Sequence, residues 1–239
     1  MFAILLIVAV GGLVITYAVY AYKKHQARLA SLQNLCRAKG WQYSAHDPWG
    51  LPRRWQGAPF DSGYARTAEH VIAGEYEGHP LVAFDYSYKE DSTDSKGHRT
   101  TSTYRYYVVA LGMPCALPAL RVSPEGVLSR IGQALGFDDI ELESEDFNRR
   151  FRVKCPDPKF AMDVLSPRTM ERLLASEGIC FRFAGSDLLC YESGSLQPGN
   201  ILHDAHVGAA VIAGIPSFVW RDYGLEERPV NTPSPGNLT

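Results

Sequence analysis

The sequence has 239 residues and a net charge of −2, which removes any global electrostatic reason to expect a nucleic-acid partner. Its five cysteines, Cys36, Cys115, Cys155, Cys180 and Cys190, are an odd set without Cys-x-x-Cys spacing. Neither a zinc site nor a disulfide framework is indicated, and no cofactor is expected.

From Phe2 to Tyr22 the chain carries no charge. A helix of that length spans about 31 Å, close to a hydrocarbon core roughly 30 Å thick, so residues 1–22 read as a single-pass transmembrane anchor. A cleaved secretory signal would need a basic start, a shorter apolar core and a small-residue cleavage site, and only Met1 precedes this run. Lys23, Lys24, His25 and Arg28 follow it. The positive-inside tendency then puts the rest of the chain at the cytoplasmic face of the cell membrane. Free thiols agree with that compartment.

Residues 23–40 read as a juxtamembrane helix, with Leu29, Leu32, Leu35 and Cys36 at helical spacing and Gly40 as its stop. The soluble domain, residues 41–224, opens with a Pro- and Gly-rich stretch to about Ala68. Its large aromatics, Trp41, Tyr43, Trp49, Trp55 and Phe60, suit an irregular segment pinned to a core. Strands are expected from Val71 to Tyr76, Leu81 to Tyr88 and Tyr104 to Leu111, forming an antiparallel meander. Val82, Phe84, Tyr86 and Tyr88 share one face of the second. The polar stretch from Lys89 to Arg99 reads as a solvated hairpin loop.

A short strand at Leu120 to Val122 precedes Ser123-Pro124, a cap and first-turn proline that predict a helix burying Val127, Leu128, Ile131 and Leu135. Phe147 to Lys154 alternates apolar and polar residues and reads as a strand. Two helices are predicted behind Asp157-Pro158 and Ser166-Pro167, over Lys159 to Leu165 and Arg168 to Ser176. The stretches around Cys180 and Cys190 form a hairpin that sets the two cysteines opposite each other, and two buried free thiols are favoured over a disulfide there. The run from His203 to Trp220 is a last apolar helix, too short for a second span and broken by Pro216. Residues 225–239 read as a disordered tail.

No phosphate-binding glycine loop is present, and Glu192-Ser193-Gly194-Ser195 lacks the second glycine of a nucleophile elbow. His203 and His206 share a helical face but lack a marked further metal ligand, so they read as helix-entry residues. The acidic run Asp138, Asp139, Glu141, Glu143, Glu145 and Asp146 reads as a solvated edge. Arg150, Arg152 and Lys154, on one face of the expected strand, are the candidate contact for an anion or a lipid headgroup. The simpler reading pairs these cations with the acidic run just upstream.

Ala73-Gly74-Glu75-Tyr76, Val82-Ala83-Phe84-Asp85-Tyr86, Tyr107-Val108-Val109-Ala110-Leu111 and Phe147-Asn148-Arg149-Arg150-Phe151-Arg152-Val153, followed by Asp157-Pro158 and Leu165-Ser166-Pro167-Arg168, form a pattern behind the N-terminal anchor. The pattern resembles uncharacterised membrane-anchored proteins of actinobacteria. That resemblance implies a bacterial inner-membrane setting and carries no activity. The expected fold is α+β: an N-terminal transmembrane helix, then a mostly antiparallel sheet of six to eight strands with helices packed on one face. The expected function is a non-enzymatic binding or scaffold domain that recruits anionic lipid or a protein partner, the alternative being an enzyme with a dispersed active site.

Overall fold

One helix, α1 (Phe2–Lys39), runs without a break through both the apolar N-terminal stretch and the predicted juxtamembrane helix. It ends where expected: Gly40 turns left-handed at φ 70°, and the Trp41 N–H reaches back to the Cys36 carbonyl at 2.8 Å. That bond is the six-to-one closure of a Schellman cap. The computed structural model describes residues 2–125, 139–176 and 178–224, with side chains from Val10 onward. Among the described residues no single helix is long and apolar enough to cross a membrane, and the expected anchor falls partly on residues 2–9, which precede the described side chains.

Among the described residues nine strands form one antiparallel sheet in the order β1-β2-β3-β4-β9-β8-β5-β7-β6. The strands are β1 (Gln42–His46), β2 (Tyr64–Tyr76), β3 (His79–Thr93), β4 (Arg99–Gly112), β5 (Arg121–Pro124), β6 (Asp139–Ile140), β7 (Phe151–Lys154), β8 (Phe181–Ala184) and β9 (Asp187–Ser193). The helices after α1 are α2 (Glu145–Arg150), α3 (Pro158–Val164), α4 (Pro167–Ala175), α5 (Pro198–Gly214) and α6 (Ser217–Tyr223). The α+β class, the antiparallel pairing and the three-strand meander are as read from the sequence.

Both faces of the sheet are covered, by different material. On one face Leu81 and Ala83 of β3, Tyr107, Val109 and Leu111 of β4 and Cys190 of β9 pack against α5 and the C-terminal half of α1, where Leu32 and Cys36 are buried. The expected face of Val82, Phe84, Tyr86 and Tyr88 looks the other way, with Tyr106, Val108 and Tyr191. There the covering is the aromatic-rich stretch between β1 and β2. Trp55 stacks flat on Phe84 at 5.9 Å, and Phe60 leans on Tyr86 at 5.0 Å. The Asp187 carboxylate holds that cover down, accepting from Trp55 Nε1 at 2.9 Å and Arg54 Nη2 at 3.0 Å.

Several expectations need correction. The stretch from 41 to 68 contains an edge strand, β1, and the start of β2, because paired backbone at the sheet edge overrides its Pro and Gly content. The polar run from 89 to 99 is mostly strand. Its cross-strand side-chain bonds, Asp91 with Arg99 and with Thr101, supply what apolar burial does not, and the loop shrinks to Asp94–His98. Ser123 and Pro124 lie in β5, paired with Arg152 and Phe151, and the rest of the helix predicted there lies outside the described residues. So does the predicted tail. The strand expected over Phe147 to Lys154 starts only at Phe151, because Ser144 caps α2 by accepting from the Phe147 N–H. The last apolar run is broken at Ile215-Pro216, as Pro216 predicted, into α5 and α6, which are bent by 81°; among the described residues only this pair taken together has the length and composition of a span.

No disulfide joins any of the five cysteines. The β8–β9 hairpin turns on two residues, Gly185-Ser186, so Cys190 faces Phe181. Cys180 therefore belongs to one core and Cys190 to the other. The sheet itself separates the two sulfurs.

Candidate functional site

A concavity of about 640 Å³ lies between α4 and α5. Helix α4 starts because Ser166 caps it, accepting from the Thr169 N–H, with Pro167 in the first turn where no donor is needed. It buries Met170 and Leu173 and turns Arg172 and Ala175 toward the groove. Helix α5 begins at Pro198 and is rich in Ala, Gly and Val. Gly208 is what lets it lie close on the sheet: a β-carbon there would sit 2.7 Å from Leu111 Cδ1 and 3.2 Å from Leu188 Cδ2. The face of α5 turned to α4 presents Val207, Ala210, Val211 and Ala213 to the groove.

Polar groups gather at the groove's rim. The Arg172 guanidinium reaches across and donates to the Ala210 carbonyl at 3.2 Å. Glu77 enters from the β2–β3 hairpin, whose two-residue turn Glu77-Gly78 has both φ angles positive. It faces His206, with Nδ1 to Oε1 at 3.8 Å. His203 also lines the groove, and its Nδ1 lies 3.0 Å from the Asp204 carboxylate. Asp204 is buried behind it, outside the lining. Burial pushes its carboxyl up to about 6, against the pull of the His203 hydrogen bond. Nearby, the Tyr107 hydroxyl donates to Glu192 at 3.2 Å, and burial holds that phenol well above its ordinary range.

The groove walls are mostly apolar, and among the described residues no Ser, Thr or Cys side chain hydrogen-bonds the His203 ring. No group of three or more His, Cys, Asp or Glu side chains among the described residues could hold a metal ion. His203 and His206, read from the sequence as helix-entry residues, sit instead inside α5 on the groove side.

The basic trio is not brought together as one row. Arg150 ends α2, and its guanidinium caps the C-terminus of α4, donating to the carbonyls of Leu174 at 2.7 Å and Ser176 at 3.2 Å. Arg152 and Lys154 do share a face of β7. Arg152 is ion-paired with Glu125 and with Asp139 at 3.3 Å, and Lys154 Nζ lies 3.7 Å from Asp139. Sequence reasoning missed Glu77, Thr169 and Arg172, which are far apart in the chain and carry no motif. The Ala-rich pattern of α5 was the available signal, since small residues on a helix mark a place where something approaches closely.

Residues 124–191, from the end of β5 to the middle of β9, match a family described as a protein of unknown function, DUF3137. No curated protein matches the chain in sequence. In structure the chain is similar to the mycobacterial trehalose monomycolate transport factor A, TtfA, with a TM-score of 0.54 at 12% identity, over 79% of this chain and 96% of that one. The expected kinship with uncharacterised actinobacterial proteins thus holds as far as a stretch of unknown function and a shared fold, and it is the fold that this chain has in common with TtfA.

Proposed function

We propose that this chain is a membrane-tethered, non-enzymatic binding domain serving a transport process at the cytoplasmic face of a bacterial cell membrane, and that the α4–α5 groove is its contact for an apolar helix of a partner protein. In this reading residues 1–22 are the anchor, 23–40 the link, 41–224 the binding domain and 225–239 a tail. The anchor is supported by bare apolar surface on α1. Val10, Leu13, Val14, Ile15, Val19 and the tyrosines 17, 20 and 22 are between 48% and 72% exposed. A contiguous apolar surface left uncovered by protein is what a bilayer covers. The transport setting is supported by the fold shared with TtfA, a transport factor.

The observation that carries the proposal is the groove: two helices leave a channel lined mainly by Ala, Val and Leu side chains, with Glu77, Arg172, His203 and His206 as its charged or titratable members. A third helix fits such a channel by its apolar face, as in helix-in-groove recognition. The test is a photo-crosslinking residue at Ala213 in the full-length chain in its own membranes, with Met162 as an exposed control position. One protein partner captured from Ala213 and absent from Met162 is the expected result. Equal capture from both positions, or none from Ala213, overturns it.

The rival, an enzyme with dispersed residues, has one observation in its favour, the buried Asp204 with its raised carboxyl behind His203. It predicts that His203→Ala abolishes function in vivo while partner capture from Ala213 persists.

A further inference from the structure

Where α1 leaves the sheet, a second cavity of about 200 Å³ opens between the helix and strands β2 to β4. Its helix wall carries His25 and Arg28. Its floor is a row that the strand register sets side by side, Thr67 against Ser87 and Ser87 against Arg105, and Ser195 closes the end.

These groups differ in what already occupies them. Arg28 is held by Asp85 at 2.7 Å. The Thr67 and Ser87 hydroxyls bond each other at 2.9 Å, which uses one of their two protons and leaves the other to donate. His25 makes a ring contact with His70, centroids 5.8 Å apart. Arg105 is exposed, and among the described residues its guanidinium makes no hydrogen bond or ion pair. With Asp85 neutralised by Arg28, the lining leaves Arg105 and one carboxylate, Glu69, with the His25 imidazole on the helix wall. A guanidinium, an imidazole and free hydroxyl protons form a donor set that suits a singly charged phosphodiester. Arg152 and Lys154, the cations singled out by sequence, are by contrast already paired with carboxylates.

Position adds the second argument. His25 and Arg28 lie three and six residues beyond Tyr22 on an unbroken helix, so about 4.5 and 9 Å along its axis. The polar layer on each side of a bilayer is roughly 5–8 Å deep. With residues 1–22 as the anchor, His25 stands at headgroup height and Arg28 just beyond it.

We infer that this cavity binds the phosphodiester of an anionic phospholipid in the leaflet from which α1 emerges, with the Arg105 guanidinium as its charged donor and the His25 imidazole and the Thr67, Ser87 and Ser195 hydroxyls as its further hydrogen-bond donors. The inference rests on the reading of residues 1–22 as an anchor. Native mass spectrometry of the detergent-solubilised full chain tests it, with phosphatidylglycerol, phosphatidylcholine or inorganic phosphate added in turn. Wild type is expected to retain one phosphatidylglycerol per chain. Arg105→Gln lowers that occupancy about fivefold, the factor for one cation removed beside anionic lipid. His25→Gln lowers it in the same direction, while Lys24→Gln, outside the cavity, changes it less than about twofold.

Equal losses from Arg105→Gln and Lys24→Gln would reduce the effect to general charge and overturn the site. So would equal retention of phosphatidylcholine. Displacement by an equal concentration of inorganic phosphate would replace the lipid by a free anion. A circular dichroism melt checks that Arg105→Gln folds. Carbonate extraction of membranes examines the anchor separately: a chain that stays in the pellet yet holds no phosphatidylglycerol sinks the site alone, whereas a chain released to the supernatant sinks the anchor.

Discussion

The Arg28 guanidinium meets the Asp85 carboxylate at 2.7 Å, and both also grip the backbone of Leu196, whose carbonyl accepts from Arg28 at 3.2 Å and whose N–H donates to Asp85 at 2.6 Å. One charge pair thereby ties α1, β3 and the segment leading into α5. The side chains are only 12% and 18% exposed, so removing one partner strands the other in a poorly solvated place. Asp85→Ala is expected to cost about 2–3 kcal/mol, discounted from a fully buried pair for the residual exposure. Hydrogen exchange in the full chain should quicken over residues 25–39. Unchanged exchange there would show that Leu32 and Cys36 hold the helix without the pair.

Trp41, the residue just beyond the α1 cap, lies over Gly74 of β2 and donates its indole N–H to the Glu75 carbonyl at 2.9 Å. A β-carbon at Gly74 would overlap the indole ring. Gly74→Ala should therefore lower stability by about 1–3 kcal/mol, the usual range for overpacking a well-filled site. The change should appear in thermal unfolding with an unaltered far-ultraviolet spectrum. An equal or higher midpoint would mean that the ring shifts freely.

Asp187 is a single anchor point for the aromatic cover, taking bonds from both Arg54 and Trp55. Asp187→Ala leaves a buried indole N–H without its acceptor and Arg54 without its ion pair, so a loss of about 2–4 kcal/mol is expected. Quenching of tryptophan fluorescence by acrylamide should rise as Trp55 is uncovered. A variant with unchanged quenching would assign the cover to Phe60 and the stack on Phe84 alone.

The raised carboxyl of Asp204 makes stability depend on pH in a direction opposite to that of a paired aspartate. Its folded value of about 6 lies above the ordinary value of 3.8, so the folded chain holds more protons than the unfolded one between those limits. Stability from this group falls as the pH rises through roughly 4 to 6 and stays reduced above, by at most about 3 kcal/mol. Asp204→Asn is expected to raise the melting temperature at pH 7.5 and to flatten its difference from pH 5. A variant whose melting temperature keeps the wild-type pH dependence would show that Asp204 is not its source.

Regular elements with a clear period were legible in the sequence. Leu29, Leu32 and Leu35 marked the end of α1, the alternation in β3 and β4 marked both faces of the meander, and Asp157-Pro158 and Ser166-Pro167 marked two helix starts. The failures share a cause. In Phe147 to Phe151 the alternation was accidental, because the two rings stack at 4.9 Å one helical turn apart, and the Ser144 cap with Glu145 and Asp146 behind it was the stronger signal. The tip of the β3–β4 hairpin is held by partners such as Asp91 and Thr101, ten residues apart, and composition does not record pairing. The groove is harder still to foresee, for Glu77, Arg172 and Ala210 come from three elements and meet only once the sheet has closed.

At 38 residues α1 is about 57 Å long, and no proline or glycine joint separates the part that packs on the sheet from the part that projects. Gly11 and Gly12 lie in the projecting half, well before Arg28. A helix stiff over that distance is a lever. Whatever grips its far end sets the heading of the nine-stranded platform, and a tilt of a few degrees there swings the α4–α5 channel rather than letting the domain hang as from a string.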